Sequence, residues 1–303
     1  MDIAPIIVFS YNRPDHLRRT LEALSQNDLA SESVLYIYCD GAKDNASKEQ
    51  RIRVDKNREI AHNVRGFKDV HVVEREHNVG LKDNIVGAVT EIVNQFGRVV
   101  TLEDDVVSSI GFLKYMNDAL ELYADEDRVM HVSAYMYPHK CRLPESFFYP
   151  VPYPGGGWAT WKRAWDCYND NSQELYDYWK DNWSKFDVFG GDYLSKQLKM
   201  NVDGTLNTWF IKWYAVVNQK EALTLYPGSS LTNNIGFDEM ATNCYSTNKF
   251  DVIPVDYVKV EQSPLVVNKK ASRVIYDFYQ GHWYNRSRRR KLFTEVMKKI
   301  HLS

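Results

Sequence analysis

The chain is poor in the features that mark membrane, secreted and nucleic-acid-binding proteins. No apolar run in its 303 residues approaches the roughly 20 residues that a membrane-spanning helix needs. The opening Met1-Asp2-Ile3-Ala4-Pro5 has neither a basic stretch nor an apolar core, so no signal peptide is expected. A formal net charge of -2 argues against nucleic acid as a partner, because its binders carry a strongly basic face. The four cysteines, Cys39, Cys141, Cys167 and Cys244, have no short ligand spacing. They build no zinc or redox motif, and a reducing, cytoplasmic setting is expected. No Gly-x-Gly-x-x-Gly follows the first apolar run, which excludes the dinucleotide fingerprint of a dehydrogenase.

What is present is ordinary in bulk and specific in order. Hydrophobic content of 44% and charged content of 26% suit a soluble globular protein, of one large α/β domain or two modest ones. The 20 Tyr, 8 Trp and 13 Phe serve mostly as core, although sugar clefts also use flat apolar faces. Short runs at Pro5–Ser10, Val34–Cys39, Val70–Val73 and Arg98–Leu102 alternate with helical spacing at Leu17, Leu21, Leu24 and at Ile85, Val89, Ile92. Asp15 or Asn12 is the expected cap of the first helix. Such alternation predicts a parallel sheet with right-handed crossovers. Further helices are expected over 112–123 and 207–217, strands over 128–134 and 223–227, a long Pro/Gly-rich loop over 144–157 and a polar, mobile loop over 231–243.

The fourth run ends in three acids, Glu103-Asp104-Asp105. A buried strand that ends in carboxylates delivers them to the crevice where open α/β sheets bind ligands. Packed like charges need a compensating cation, and hard oxygen ligands suit Mg²⁺ or Mn²⁺ held together with phosphates. A solvated acidic turn is the bland alternative. At the other end, Arg286 to Lys291 precedes Leu292, Phe293, Val296, Met297 and Ile300, a basic amphipathic helix. It reads either as a docked terminal helix or as a contact with an anionic membrane surface.

In this order, Tyr11-Asn12-Arg13-Pro14, Asp40-Gly41, Asn78-Val79-Gly80 and Glu103-Asp104-Asp105 resemble the nucleotide-sugar half of GT-A fold glycosyltransferases. The acidic triplet is similar to the motif of the N-acetylglucosaminyltransferase that initiates complex N-glycans. Gly155 to Trp158 and Leu231 to Asp238 have counterparts in bacterial sugar transferases of that lineage. The resemblance implies an α/β fold of GT-A type: a mostly parallel central sheet flanked by helices, with a Rossmann-like nucleotide-binding half and an acceptor half. It divides the chain into a donor half over 1–105, an acceptor and catalytic half of the same domain over 106–255, and a basic appendage over 256–303.

The resemblance also implies roles. Asp105 would hold Mn²⁺ or Mg²⁺ against the diphosphate of a UDP-sugar donor. Glu103 and Asp104 would face the ribose and the donor sugar, Asp40 the nucleoside or sugar, and Arg13 the phosphate. Lys82 is a further candidate cation, with a plain helix-surface lysine as its alternative. Trp158 and Trp209 are the candidate acceptor-binding residues, for a glycan or polyprenyl-linked acceptor. An inverting transfer also needs a base. In the family it is an acid just before a helix, and the corresponding stretch here is Leu206-Asn207-Thr208-Trp209. Neither Asn207, which marks the catalytic position, nor Thr208 can take the proton. Asp203 or Asp192 serves instead, the residue has been altered, or the chain binds without efficient turnover. Asn243, where relatives tend to have His, is a second departure. A non-catalytic nucleotide-sugar or glycan-binding protein on the same fold is the alternative function. A nucleotidyltransferase would want a Gly-rich basic loop where Tyr11-Asn12-Arg13-Pro14 stands, and a glycosidase wants two separated carboxyls rather than adjacent ones.

Overall fold

Each β-branched or aromatic run of the first hundred residues forms a strand. The computed structural model describes residues 2–237 and 247–281. Strands β1 (Ile6–Ser10), β2 (Val34–Cys39), β3 (Asp69–Glu74) and β4 (Arg98–Glu103) are separated by helices α1 (Pro14–Ser25), α2 (Lys48–Asn63) and α3 (Leu81–Phe96). A short strand β5 (Val106–Ser108), helix α4 (Phe112–Leu122) and strands β6 (Val129–Ser133), β7 (Ser146–Tyr149) and β8 (Trp158–Trp161) follow. Then come helices α5 (Lys162–Trp165), α6 (Ser172–Trp179), α7 (Trp183–Phe186), α8 (Tyr193–Val202) and α9 (Phe210–Gln219). Strands β9 (Leu223–Pro227) and β10 (Thr232–Asn234) and helix α10 (Lys269–Tyr279) complete the described elements.

Eight strands form one sheet in the order β3-β2-β1-β4-β8-β6-β9-β7, while β5 and β10 pair in a separate antiparallel ribbon. The sheet is mostly parallel, and β7 and β8 run against the other six. From β1 the chain steps outward to β2 and β3, then returns to place β4 on the opposite side of β1. This reversal is a topological switch point, the place beyond the carboxyl ends of β1 and β4 where open α/β sheets generally bind their ligands.

Alternation along the strands sorts the core into two layers. Ile7, Phe9 and Val99 pack with α3, α9, Trp158 and Trp165 on one face. Ile6, Val8, Val100 and Leu102 pack with α1 and α4 on the other. The ten strand residues of β1 and β9 are all buried, as continuous apolar runs in a two-sided sheet should be. Residues 256–281 join the same body: Val258 lies in the second layer, and Ala271, Ile275 and Phe278 of α10 lie in the first.

Local departures from the sequence reading have physical causes. The expected loop over 144–157 contains β7, four aromatic-rich residues too short to register as a strand alone but paired antiparallel with β9. The helix expected from Asn207 begins at Phe210, because Asn201 binds both the amide and the hydroxyl of Thr208 and holds that residue outside. Arg13, rather than Asp15 or Asn12, occupies the cap of α1, and Pro14 opens the helix. The loop from Leu231 carries β10, which pairs with β5. Asp238, Asn243, Cys244 and the basic segment from Arg286 to Ile300 lie outside the described residues.

Candidate active site

The acidic triplet stands at the switch point. Glu103 is the last residue of β4, and Asp104-Asp105 form the turn into β5. Asp104 is tied to the neighbouring crossover: its Oδ2 accepts from the Tyr11 amide at 3.3 Å and its carbonyl from Thr20 Oγ1 at 2.8 Å. Asp105 faces the strand that closes over it. Its Oδ2 accepts from Arg13 Nη1 at 3.0 Å, its Oδ1 from Asn234 Nδ2 at 3.1 Å, and its carbonyl from the Ile235 amide at 2.8 Å. The Asn234 side chain also donates to the Gly155 carbonyl at 2.8 Å and accepts from the Gly236 amide at 2.8 Å. Gly236 is a packing requirement: a Cβ there would stand 1.9 Å from Asp105 Oδ2. Gly156 is another, since its Cβ would meet Tyr135 at 2.2 Å.

The electrostatics are unbalanced. Burial, reinforced by Asp105, pushes the Glu103 carboxyl up to about 8 and that of Asp104 up to about 7. Asp105 is also raised by burial, against the pull of Arg13 and His16. A cation brought here would be attracted to carboxylates that are costly to keep charged. The donor set is all oxygen, which suits Mg²⁺ or Mn²⁺. Among the described residues no group of three or more His, Cys, Asp or Glu side chains converges on one metal position. A divalent ion held by Asp105 would need further oxygen ligands from outside the protein, such as phosphate and water, as is common for Mg²⁺.

The other candidate residues divide by surroundings. Asp40 follows β2, and its buried carboxylate accepts four N–H groups: the amides of Gly41, Val79 and Gly80 and the side chain of Asn78, all between 2.9 and 3.0 Å. It knits the β2 loop to the start of α3. Trp158 and Trp209 stack at 5.0 Å with 2% and 4% of their surfaces exposed. They are part of the core. Asp203 is exposed, and its Oδ1 accepts from the amide and hydroxyl of Thr205 at 2.9 and 2.6 Å, which holds its carboxyl below the usual range. Asn207 and Asp192 are exposed.

Lys82 is no isolated surface lysine. Its Nζ lies 2.7 Å from Asp170 Oδ2 and 3.0 Å from Asp83 Oδ1, while Lys212 Nζ lies 2.8 Å from Asp170 Oδ1. Asp170 and Lys212 were not among the residues expected from sequence. The loop Tyr168-Asn169-Asp170-Asn171 carries no motif that singles out its carboxylate.

No family model matches the chain. Among curated proteins, it is similar to the alpha-1,3-mannosyl-glycoprotein 2-beta-N-acetylglucosaminyltransferase of Arabidopsis thaliana, at 26% identity over 55% of this chain. The chain spans 39% of the length of that relative. Solved structures with partial likeness include mouse xyloside xylosyltransferase 1, with a TM-score of 0.35 at 10% identity over 72% of this chain and 83% of that one. S. aureus TarS 1-349 gives a TM-score of 0.39 at 13% identity over 77% of this chain and 60% of that one. The described helices include none long and apolar enough to cross a membrane.

Proposed function

We propose that the chain is a metal-dependent glycosyltransferase that moves a hexosyl or N-acetylhexosaminyl group from a UDP-sugar to a glycan or polyprenyl-linked acceptor. One observation carries this reading. The triplet stands at the topological switch point with Asp105 against the Arg13 guanidinium, so a carboxylate for a metal and a cation for a phosphate are adjacent. Similarity to a sugar-transferring relative supports it.

Arg13, on the loop after β1, would bind a non-bridging phosphate oxygen when it leaves Asp105, and its fixed charge would stabilise the departing diphosphate. Asp105 would hold the Mn²⁺ or Mg²⁺, which when bound supplies Lewis-acid stabilisation of the same leaving group. Glu103 would face the donor sugar, because alternation along β4 puts it on the face of Val99 with α3 and α9. Asp104, pinned by Tyr11 and Thr20, keeps the turn in register for Asp105. Direct displacement by an acceptor hydroxyl would invert the anomeric centre. The test is UDP release from a panel of UDP-sugars and glycoside acceptors, with and without chelator. Turnover abolished by chelator and restored by Mn²⁺ is expected, and turnover indifferent to metal would overturn the reading.

Binding without turnover is the second reading, favoured by the absence of an acid at Asn207 and Thr208 and by the commitment of Asp203 to Thr205. Product from any acceptor in the panel excludes it. The basic segment from Arg286 to Ile300 is proposed to place the acceptor side against an anionic membrane, each basic residue adding about 1 kcal/mol near the surface. Equal liposome binding by the full chain and by a chain ending at Asn285 would refute that part.

A further inference from the structure

Helices α3 and α9 lead into β4 and β9, which run in the same direction, so both helices begin at the sheet edge that carries the triplet. Both pack on the face to which Glu103 belongs. Between their first turns sits Asp170. Lys82, the second residue of α3, and Lys212, the third of α9, clamp its two oxygens at 2.7 and 2.8 Å. The lysine side chains are 12% and 5% exposed, yet the carboxylate they hold is 50% exposed. Oδ1 also accepts from Tyr168 Oη at 3.2 Å, whereas among the described residues Oδ2 accepts from Lys82 alone. With half its surface exposed, the carboxylate can also accept from a hydroxyl that approaches from outside. The lysines sit on rigid elements, and the helix N-termini favour an anion between them.

From this placement we infer that Asp170 is the catalytic base, receiving the proton of the acceptor sugar's hydroxyl at Oδ2, with Lys82 and Lys212 as positioning residues. The inference rests on the glycosyltransferase reading and supplies the acid missing at Asn207. The acceptor oxygen forms its bond to the donor's anomeric carbon as the bond from that carbon to the diphosphate oxygen breaks. The electron pair leaves with the diphosphate, and the hydroxyl proton passes to Asp170. Among the described residues, the groups facing Asp170 are Lys82, Lys212 and Tyr168, with Asp83 on the far side of Lys82. Burial works to raise its carboxyl, but the hydrogen bonds from Lys212 and Lys82 prevail and hold it below the usual range, so it is ionised at neutral pH.

The test measures UDP release with the sugar panel and, separately, UDP binding with Mn²⁺ by calorimetry. Asp170→Asn should lower kcat by about 10²–10⁴-fold, the usual contribution of a general base, while UDP affinity stays within about twofold. Lys212→Met removes one cation, and the acidic limb of its kcat/KM profile should move to higher pH. Asp170→Asn with kcat within tenfold of wild type, or Lys212→Met with an unshifted limb, overturns the role. Wild-type protein that neither binds UDP nor transfers sugar overturns the transferase reading, and the base with it.

Discussion

Replacing Gly236 by Ala tests how the proposed donor site is closed. The added Cβ would stand 1.9 Å from Asp105 Oδ2 and 2.8 Å from Arg13 Nη1. The strand cannot simply lift away, because the Ile235 amide binds the Asp105 carbonyl and the Gly236 amide binds Asn234 Oδ1. The carboxylate must instead retreat by about 1.5 Å to reach an ordinary contact. A retreat of that size breaks the charge-assisted bond from Arg13, worth about 1.5–3 kcal/mol, and the bond from Asn234, worth about 0.5–1.5 kcal/mol. With some repair by water, the variant should lose about 2–4 kcal/mol in urea unfolding. Its UDP affinity in Mn²⁺ should fall at least about tenfold, equivalent to 1.4 kcal/mol. Gly87→Ala is the control: it lies exposed in α3 with nothing within 4 Å of the added carbon. That change should stabilise by about 0.5–1 kcal/mol without touching UDP binding. Wild-type stability and UDP affinity in Gly236→Ala would refute the closed geometry.

Three further outcomes follow from the same site. Glu103 and Asp104 have folded pKa values raised to about 8 and about 7 from 4.5 and 3.8, so the folded state binds more protons than the unfolded one between these limits. Their contribution to stability is full below about pH 4 and is lost as pH rises to about 8. Metal-free Glu103→Gln should therefore show a flatter decline in stability from pH 5 to 8 than wild type, and an unchanged slope would contradict the assignment. Arg13→Met removes a cation from three carboxylates and should cost about 3–5 kcal/mol without metal. Millimolar Mn²⁺ should raise its melting temperature more than that of wild type, and an equal or smaller rise counts against Arg13 as partner of the metal ligand. Asp40→Asn leaves at least one buried N–H without an acceptor and should destabilise by about 1–3 kcal/mol, read by urea unfolding; unchanged stability would dismiss the four-donor hub.

Much of this was legible in the chain because its causes are local. Runs such as Ile6–Ser10 and Val34–Cys39 are wholly or largely buried on two faces, and burial of that kind writes itself as uninterrupted apolar residues. The triplet was legible for the same reason, since a strand and the turn after it are contiguous. What was hidden depends on residues far apart in sequence. Asp170 gains its meaning from Lys82 and Lys212, which are 88 and 42 positions away. Asp40 likewise reads as a sugar contact until Asn78, Val79 and Gly80 are seen to occupy its oxygens. The indoles of Trp158 and Trp209 could be picked out, but only packing shows that they stack on each other within the core. Strand β7 escaped because four residues carry too little periodicity, and its partner β9 lies more than seventy positions on.

The central claim is that the last acid of the triplet and a bound diphosphate share one divalent ion. The most direct measurement is a crystal structure of the protein with UDP and Mn²⁺, using anomalous scattering to locate the metal. A manganese peak about 2.0–2.2 Å from an Asp105 carboxylate oxygen, bridged to the diphosphate, with Arg13 turned onto phosphate, is the predicted result. UDP bound elsewhere, or a diphosphate in the crevice with no metal and the Arg13–Asp105 pair intact, would contradict it.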